Sequence, residues 1–214
     1  MIDHFKEQLK EQLELPLPAH RAHKKVMGHR KSLHQLGGVP ARARQSAVLI
    51  LIYPKKEILH TVFILRQTYK GVHSAQIGFP GGKAEDYDTN LEATALREAN
   101  EELNVDLKKI DLLGSLTPLY VPPSNFLITP FVGVQQTTPD FIADRREVAE
   151  ILESPLLSFL GEDKLISTTV NVNQSEIETK GYFFNDRIIW GATGMILKEL
   201  SEILGKVKSP ILSR

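Results

Sequence analysis

The stretch FPGGKAEDYDTNLEATALREANEELNV, Phe79 to Val105, decides how this chain reads. Two glycines follow a proline and lead through an acidic loop into a helical pattern, Leu91 to Leu103. Asn90 or Thr89 supplies a side-chain oxygen to cap its start. At about 100° per residue, with Glu98 as origin, Glu102 falls near 40° and Glu101 near −60°, so the three carboxylates share one face. Ala95, Ala99, Leu103 and Leu96 form an adjoining apolar stripe. Like charges three and four residues apart destabilise an isolated helix by about a few tenths of a kcal/mol per pair, and Arg97 can relieve only part of that. Two readings follow: a solvated acidic face, or a site where one or two divalent cations share the acids and clamp a phosphate. Oxygen-only ligands suit Mg²⁺ or Mn²⁺. The glycines bear on the choice. They allow positive φ and close backbone approach, and a turn of this kind can turn N–H groups toward phosphate oxygens or a carbonyl toward a metal.

Around this segment, strands and helices are mixed, and few strands are joined by long helices. Ile2 to Leu13 carries Ile2, Phe5, Leu9 and Leu13 at helical spacing, and Pro16 and Pro18 end it. Residues 19–45 read as basic and irregular, with a short helix around His23 to Gln35. Ala47 to Tyr53, AVLILIY, is a continuous apolar run expected as a buried strand, and Leu59 to Leu65 as its partner across the turn PKKE. Further strands are expected at Leu112 to Tyr120, Phe126 to Val134, Glu147 to Glu153, Ile166 to Val172, Gly181 to Phe184 and Ile188 to Trp190. A short helix is expected at Pro155 to Leu160, and a closing one at Thr193 to Leu204. The mixture points to an α+β fold with a mixed β-sheet, organised as an N-terminal extension, residues 1–45, and one domain, residues 46–206.

Lys plus Arg and Asp plus Glu number 26 each, so net charge selects no partner class. There is no cysteine, which excludes disulfides and thiolate metal sites. No apolar run is long enough to span a membrane. The start, MIDHFKEQLKEQLEL, carries acids and lacks the apolar core of a secretory leader, and SPILSR is not a peroxisomal address, so a cytoplasmic location is expected. Between Leu15 and Lys56 there is no Asp or Glu, while Arg21, Lys24, Lys25, Arg30, Lys31, Arg42, Arg44, Lys55 and Lys56 accumulate, with His20, His23, His29 and His34 among them. This is either a solvated arm or a surface that attracts phosphates. Aromatics are missing between the bases, so no stacking platform for single-stranded nucleic acid is expected.

GGKAEDYDTNLEATALREANEELNV resembles the Nudix box, GX₅EX₇REUXEEXGU, with Arg97-Glu98, Glu101-Glu102 and Val105 matching in order and spacing. LRQTYKGVHSAQIGFPGG, Leu65 to Gly82, is similar to the upstream signature of the coenzyme A diphosphatase branch, with Arg66, His73, Ser74, Gln76, Phe79 and Pro80 in place. PLYVPPSNFLITPFVG, EVAEILESPL and IWGATGMIL resemble the same branch, so the likeness spans roughly residues 45 to 200. Three positions depart from the pattern. Gly82 to Arg97 is one residue longer than the general box, leaving Glu85, Asp86 and Asp88 as competitors for its first acid. Asn104 stands in place of the box glycine, and Ala75 in place of a branch glycine.

The resemblance implies a Nudix-type α/β/α sandwich with a catalytic loop-helix, and Mg²⁺- or Mn²⁺-dependent hydrolysis of a diphosphate in coenzyme A or acyl-CoA. The products would be 4′-phosphopantetheine, or its acyl form, and 3′,5′-ADP. Another nucleoside diphosphate derivative (ADP-ribose, a dinucleotide polyphosphate or an NTP) is the alternative substrate, and a non-catalytic nucleotide-sensing module the alternative role. Glu98, Glu101 and Glu102 are the implied metal ligands, with the Gly82 carbonyl as a further donor, and Arg97 orients a box carboxylate. The general base is a box Glu or an acid from another loop, for which Glu147 is the candidate. Arg66, His73, Gln76, Gly81, Gly82 and Lys83 are expected around the substrate, whereas Phe79, Tyr120 and Trp190 are expected to pack. Arg21, Lys24 and Lys25 are candidates for the 3′-phosphate of coenzyme A. The expected partners are a small-molecule diphosphate, with neither nucleic acid nor membrane, and the fold is compatible with a homodimer.

Overall fold

The computed structural model of the chain describes residues 1–27, 38–67, 76–172, 175–209 and 212. Its centre is strand β1 (Arg44–Lys55), in which Leu49 to Tyr53 are all fully buried. Alternation splits that run between two cores. Leu49, Leu51 and Tyr53 point to one face of the sheet, and Ile50 and Ile52 to the other. A strand covered on both faces has no use for polar alternation, which is why AVLILIY is apolar throughout.

Strand β2 (Ile58–Arg66) returns antiparallel to β1 through Lys56 and Glu57, both at positive φ, the geometry that two-residue hairpins favour. Two short strands follow, β3 (Ile77–Gly78) on β2 and β4 (Gly81–Lys83) on β1, and then helix α3 (Leu91–Leu103). Strands β5 (Ile110–Ser115) and β6 (Leu119–Val121) both pair with β7 (Phe126–Gln135), which lies parallel to β1. Strand β8 (Val148–Pro155) pairs with the other side of β2. One parallel pair among antiparallel ones makes the sheet mixed, as expected. A second, three-stranded sheet consists of β9 (Leu165–Val172), β10 (Ser175–Phe184) and β11 (Arg187–Ile189), and α4 (Gly191–Leu204) follows it.

Helix α3 covers one face of the large sheet through Ala95, Ala99 and Leu103. The opposite face is covered by α4 and by α1 (Ile2–Glu14), whose Phe5, Leu9 and Leu13 share a core with Met195, Ile196 and Leu200. The layers therefore stack as an α/β/α sandwich. Among the described residues no helix is long and apolar enough to cross a membrane.

Several expectations are corrected. The segment after Pro18 is not irregular: α2 (Ala19–Met27) starts there, burying Ala22, His23 and Val26 against α4, while residues 28–35 of the expected helix lie outside the described residues. The strand expected over Leu112 to Tyr120 is two strands. A register shift near Gly114, at φ +157°, bends the first away, and Leu116 donates its N–H to Pro130. Strand β10 begins at Ser175 rather than Gly181, because its polar first half pairs with β9 along its length.

The basic arm also reads differently. Lys25 Nζ lies 2.9 Å from both Glu162 and Glu202, and Arg21 is 3.7 Å from Glu202. Lys25 and Arg21 thus meet the protein's own acids on the α4 side of the sheet, opposite α3. The neutralising acids lie far along the chain, so local charge counting missed them.

Candidate functional site

Strand β4 brings the glycine pair alongside β1, with Gly81 opposite Val48 and Gly82 opposite Ala47. Space requires glycine at Gly81, which lies against backbone, while Gly82 leaves room for a side-chain carboxylate. A Cβ on Gly81 would sit 2.3 Å from the Ala47 carbonyl oxygen, and one on Gly82 would sit 2.4 Å from the Glu98 carboxylate. Gly81 also holds φ at +150°. The pair therefore lets the backbone lie directly under a helix carboxylate. The Gly81 N–H does not face open space for a phosphate, as the turn suggested; it donates to Glu102 Oε2 at 2.8 Å. The Ser46 hydroxyl donates to the Gly82 carbonyl at 2.7 Å.

Helix α3 begins where the sequence places it. Asn90 accepts the Ala93 N–H at 2.8 Å, and Asn104 ends the helix at φ 55°, taking the left-handed position of the box glycine. In the loop before it, Asp88 is the acid that Arg97 grips. Asp88 receives a two-pronged bond from Arg97, Nε to Oδ1 at 2.8 Å and Nη2 to Oδ2 at 3.0 Å. Thr94 Oγ1 and the Glu85 N–H also donate to Asp88, each at 2.9 Å. The Arg97 guanidinium, with these further donors, holds the Asp88 carboxyl well below the usual carboxylate range despite desolvation. Glu85 instead meets Lys83, at 3.3 Å.

Arg97 does more than fix the loop. Its Nη1 reaches Glu98 at 2.8 Å and Glu101 at 2.9 Å, and Nη2 reaches the Lys83 carbonyl at 3.1 Å. Glu98 is nearly covered, and burial pushes its carboxyl up. Arg97 opposes that push, and the charges of Glu101 and Glu147 add to it. Glu102 is 1% exposed. Arg66 Nη1 holds its Oε1 at 3.0 Å, and Arg66 Nη2 donates to the Gly81 carbonyl at 2.5 Å. Burial pushes the Glu102 carboxyl up to about 7. Arg66 and the Gly81 N–H oppose this, and the charges of Glu98 and Glu147 reinforce it.

The expected residues thus fall into groups. Glu98, Glu101, Glu102, Arg97, Gly81 and Gly82 are brought together. Glu147, at the foot of β8, is exposed, and its charge acts on both Glu98 and Glu102. Arg66 is engaged with Glu102 and Gly81 rather than standing free for a substrate. Lys83 is half exposed beside Glu85. Gln76 gives its carbonyl to the Arg66 N–H at 3.1 Å, and His73 lies outside the described residues. Phe79 is core, 4.8 Å from the Phe63 ring centre.

Among the described residues no three carboxylates or histidines converge as a finished metal cage. Arg97 and Arg66 each hold a share of the acids. The residues nevertheless fit a hard divalent cation. The donors are all oxygen, and Asp88, Glu98, Glu101, Glu102 and Glu147 outnumber the two arginines. The glycine floor also leaves the Glu98 carboxylate room that a Cβ would fill. One contributor, Asp88, was read from sequence only as one of three candidates, and another, Ser46, was not read at all. Asp88 carried a signal, nine residues before Arg97, but two neighbouring acids masked it. Ser46 carried none, because its partner arrives from another strand.

The chain matches the NUDIX domain family model over residues 43–161. It is similar to an uncharacterized Nudix hydrolase NudL of Photorhabdus laumondii, 34% identical over 161 residues, covering 74% of this chain and 84% of that protein. A NudL protein of Yersinia enterocolitica is 32% identical over 171 residues, covering 78% and 85%. Among solved structures, the chain resembles RenU, a Nudix hydrolase from M. smegmatis, with TM-score 0.53 and 13% identity over 78% of this chain and 89% of that one. It also resembles a MutT/nudix family protein from Enterococcus faecalis, with TM-score 0.52 and 16% identity over 93% and 79%. At such identity these two likenesses show the fold alone.

Proposed function

Because the chain belongs to the NUDIX domain family, we propose that it is a divalent-metal-dependent hydrolase that cleaves the diphosphate of coenzyme A or an acyl-CoA, releasing 4′-phosphopantetheine or its acyl form and 3′,5′-ADP. One observation carries the hydrolase reading: Glu98 is packed against the Gly82 backbone beside the buried Glu102, in a cluster where acids outnumber arginines. A sensor that only bound nucleotide would gain nothing from concentrating this charge. The coenzyme A assignment is supported by the likeness of Leu65 to Gly82 and of the three downstream segments to that branch.

Glu98, Glu101 and Glu102 would hold Mg²⁺ or Mn²⁺, with the Gly82 carbonyl beside them. Bound there, such a cation neutralises phosphate oxygens and lowers the pKa of a water. Arg97 keeps Glu98 and Glu101 oriented while clamping Asp88, which ties the helix to its loop. Ser46 fixes the direction of the Gly82 carbonyl. Lys83, half exposed beside Glu85, would meet a phosphate oxygen. Glu147 is the loop acid assigned to accept the proton of the attacking water. No covalent protein intermediate is required; positioning and charge do the work.

A panel of coenzyme A, ADP-ribose, a dinucleotide polyphosphate and an NTP, each with Mg²⁺ and Mn²⁺, tests the reading. Coenzyme A is expected to show the highest kcat/KM, with 3′,5′-ADP among the products. Preference for another member would move the substrate, and no metal-dependent turnover of any would remove the enzyme.

A further inference from the structure

Arg66 and Glu102 are 36 residues apart in sequence and form an ion pair at the site in which the carboxylate is almost wholly enclosed. Every near partner of the Glu102 carboxylate is accounted for. Oε1 accepts from Arg66 Nη1 at 3.0 Å, Oε2 accepts the Gly81 N–H at 2.8 Å, and the residue is 1% exposed. The second arm of the same guanidinium takes the Gly81 carbonyl. Arg66 thus occupies the position that a cation serving Glu102 and the glycine turn would need. A guanidinium and a divalent ion cannot share it, because two like charges about 4 Å apart repel by several kcal/mol at a partly buried site.

We propose that Arg66 is an exchangeable counter-cation: it holds Glu102 until a divalent ion takes that carboxylate, and then turns to a phosphate oxygen of the substrate. The inference rests on the reading of Glu102 as a metal ligand. Arg66 is suited to the exchange by its place. It is the last residue of β2, its backbone N–H is fixed to the Gln76 carbonyl, and its side chain is 24% exposed, so it is not sealed in the core. Its planar fork matches the geometry of a phosphate as well as that of a carboxylate. The exchange couples two events. Metal entry releases the arginine, and the released arginine favours the anionic substrate, so each ligand should strengthen binding of the other. It also accounts for a residue that bonds a metal-ligand acid and yet lies where a substrate contact was expected.

The test is Mn²⁺ binding to the substrate-free protein, read by electron paramagnetic resonance of the free ion, for wild type and Arg66→Gln, with thermal melts alongside. The exchange predicts that Arg66→Gln binds Mn²⁺ about tenfold tighter, with a larger Mn²⁺-induced rise in Tm, while KM for coenzyme A increases by about the same factor. Unchanged or weaker Mn²⁺ binding overturns it, since an arginine that merely supports the fold or merely touches substrate would not compete with the ion. If Arg66→Gln shows no cooperative melt with or without Mn²⁺, Arg66→Lys decides by the same criterion, because an ammonium cannot span Glu102 and the Gly81 carbonyl together. Should wild type fail to hydrolyse coenzyme A, the substrate reading falls, and the Mn²⁺ comparison still decides the exchange.

Discussion

Two buried glutamates, one on each side of the central sheet, show how the same residue type serves different ends. Glu199 on α4 is fully buried, and Glu102 on α3 is 1% exposed. Glu199 accepts from Thr117 Oγ1 at 2.6 Å and from the Ala19 N–H at 3.0 Å, and it meets His23 Nε2 at 2.9 Å. Burial pushes its carboxyl up, but the His23 and Thr117 hydrogen bonds outweigh that and leave it lowered. Glu102 has an arginine and a backbone N–H, yet its carboxyl is raised, because Glu98 and Glu147 add negative charge to the cost of burial. One carboxylate is settled and ties the N-terminal segment to α4. The other is kept under electrostatic tension beside more acids, as a cation site requires.

This contrast can be broken by substitution. The largest effect is expected from Glu98→Gln. It removes one charge from the tense cluster at constant shape, and kcat should fall by about two to three orders of magnitude while nucleotide binding and the melt persist. Loss of turnover accompanied by loss of fold would place Glu98 on the structural side. Glu199→Ala should do the reverse, costing about 3 kcal/mol in urea denaturation because it strands His23 and the Ala19 N–H, with Mn²⁺ affinity unchanged. A shift in Mn²⁺ affinity there would mean that the two sides of the sheet are coupled.

The settled carboxylate also has a pH signature. A carboxyl lowered in the fold adds stability that is present above its ordinary value of 4.5 and is lost as pH falls through the folded value. Glu199→Gln should therefore flatten the acid limb of the stability curve and leave the neutral region's slope as it was. An unchanged acid limb would remove Glu199 as its source.

Smaller effects separate the parts of the box. Asp88→Asn weakens the clamp that holds Arg97, and activity should drop by about tenfold through misplaced carboxylates rather than a lost ligand. Glu85→Gln, by contrast, should leave activity within about twofold, because the Glu85 carboxylate pairs with the half-exposed Lys83 and its bonds to Asp88 are through the backbone. Equal losses in these two variants would return the first acid of the box to an open choice. Smallest is Asn90→Ala, which removes the helix cap and should cost about 1 kcal/mol of stability by thermal melt.

What the sequence disclosed and what it hid divide along the same physical line. The bounds of α3, the choice of its cap between Asn90 and Thr89, and the shared face of its acids are local properties, set within a few residues, and were legible. So was the apolar run of β1. Partners that arrive from distant segments were not. Asp88 could not be told from Glu85 or Asp86 until Arg97 was seen to grip it. Arg66 was expected at a phosphate because Glu102 lies on another element. The arm's Lys25 looked free for an anion because Glu162 and Glu202 are far along the chain. The Gly81 N–H was assigned to a ligand because nothing local shows that Glu102 claims it.

The central claim is that the acids of α3 hold a cation for diphosphate hydrolysis, and the most direct measurement is turnover of coenzyme A with Mn²⁺, products identified by mass spectrometry, for wild type beside Glu98→Gln. Wild type is predicted to yield 3′,5′-ADP and 4′-phosphopantetheine only when the metal is present, and the variant to yield neither at a measurable fraction of that rate. Equal product from both proteins, or product that survives chelation of the metal, would contradict it.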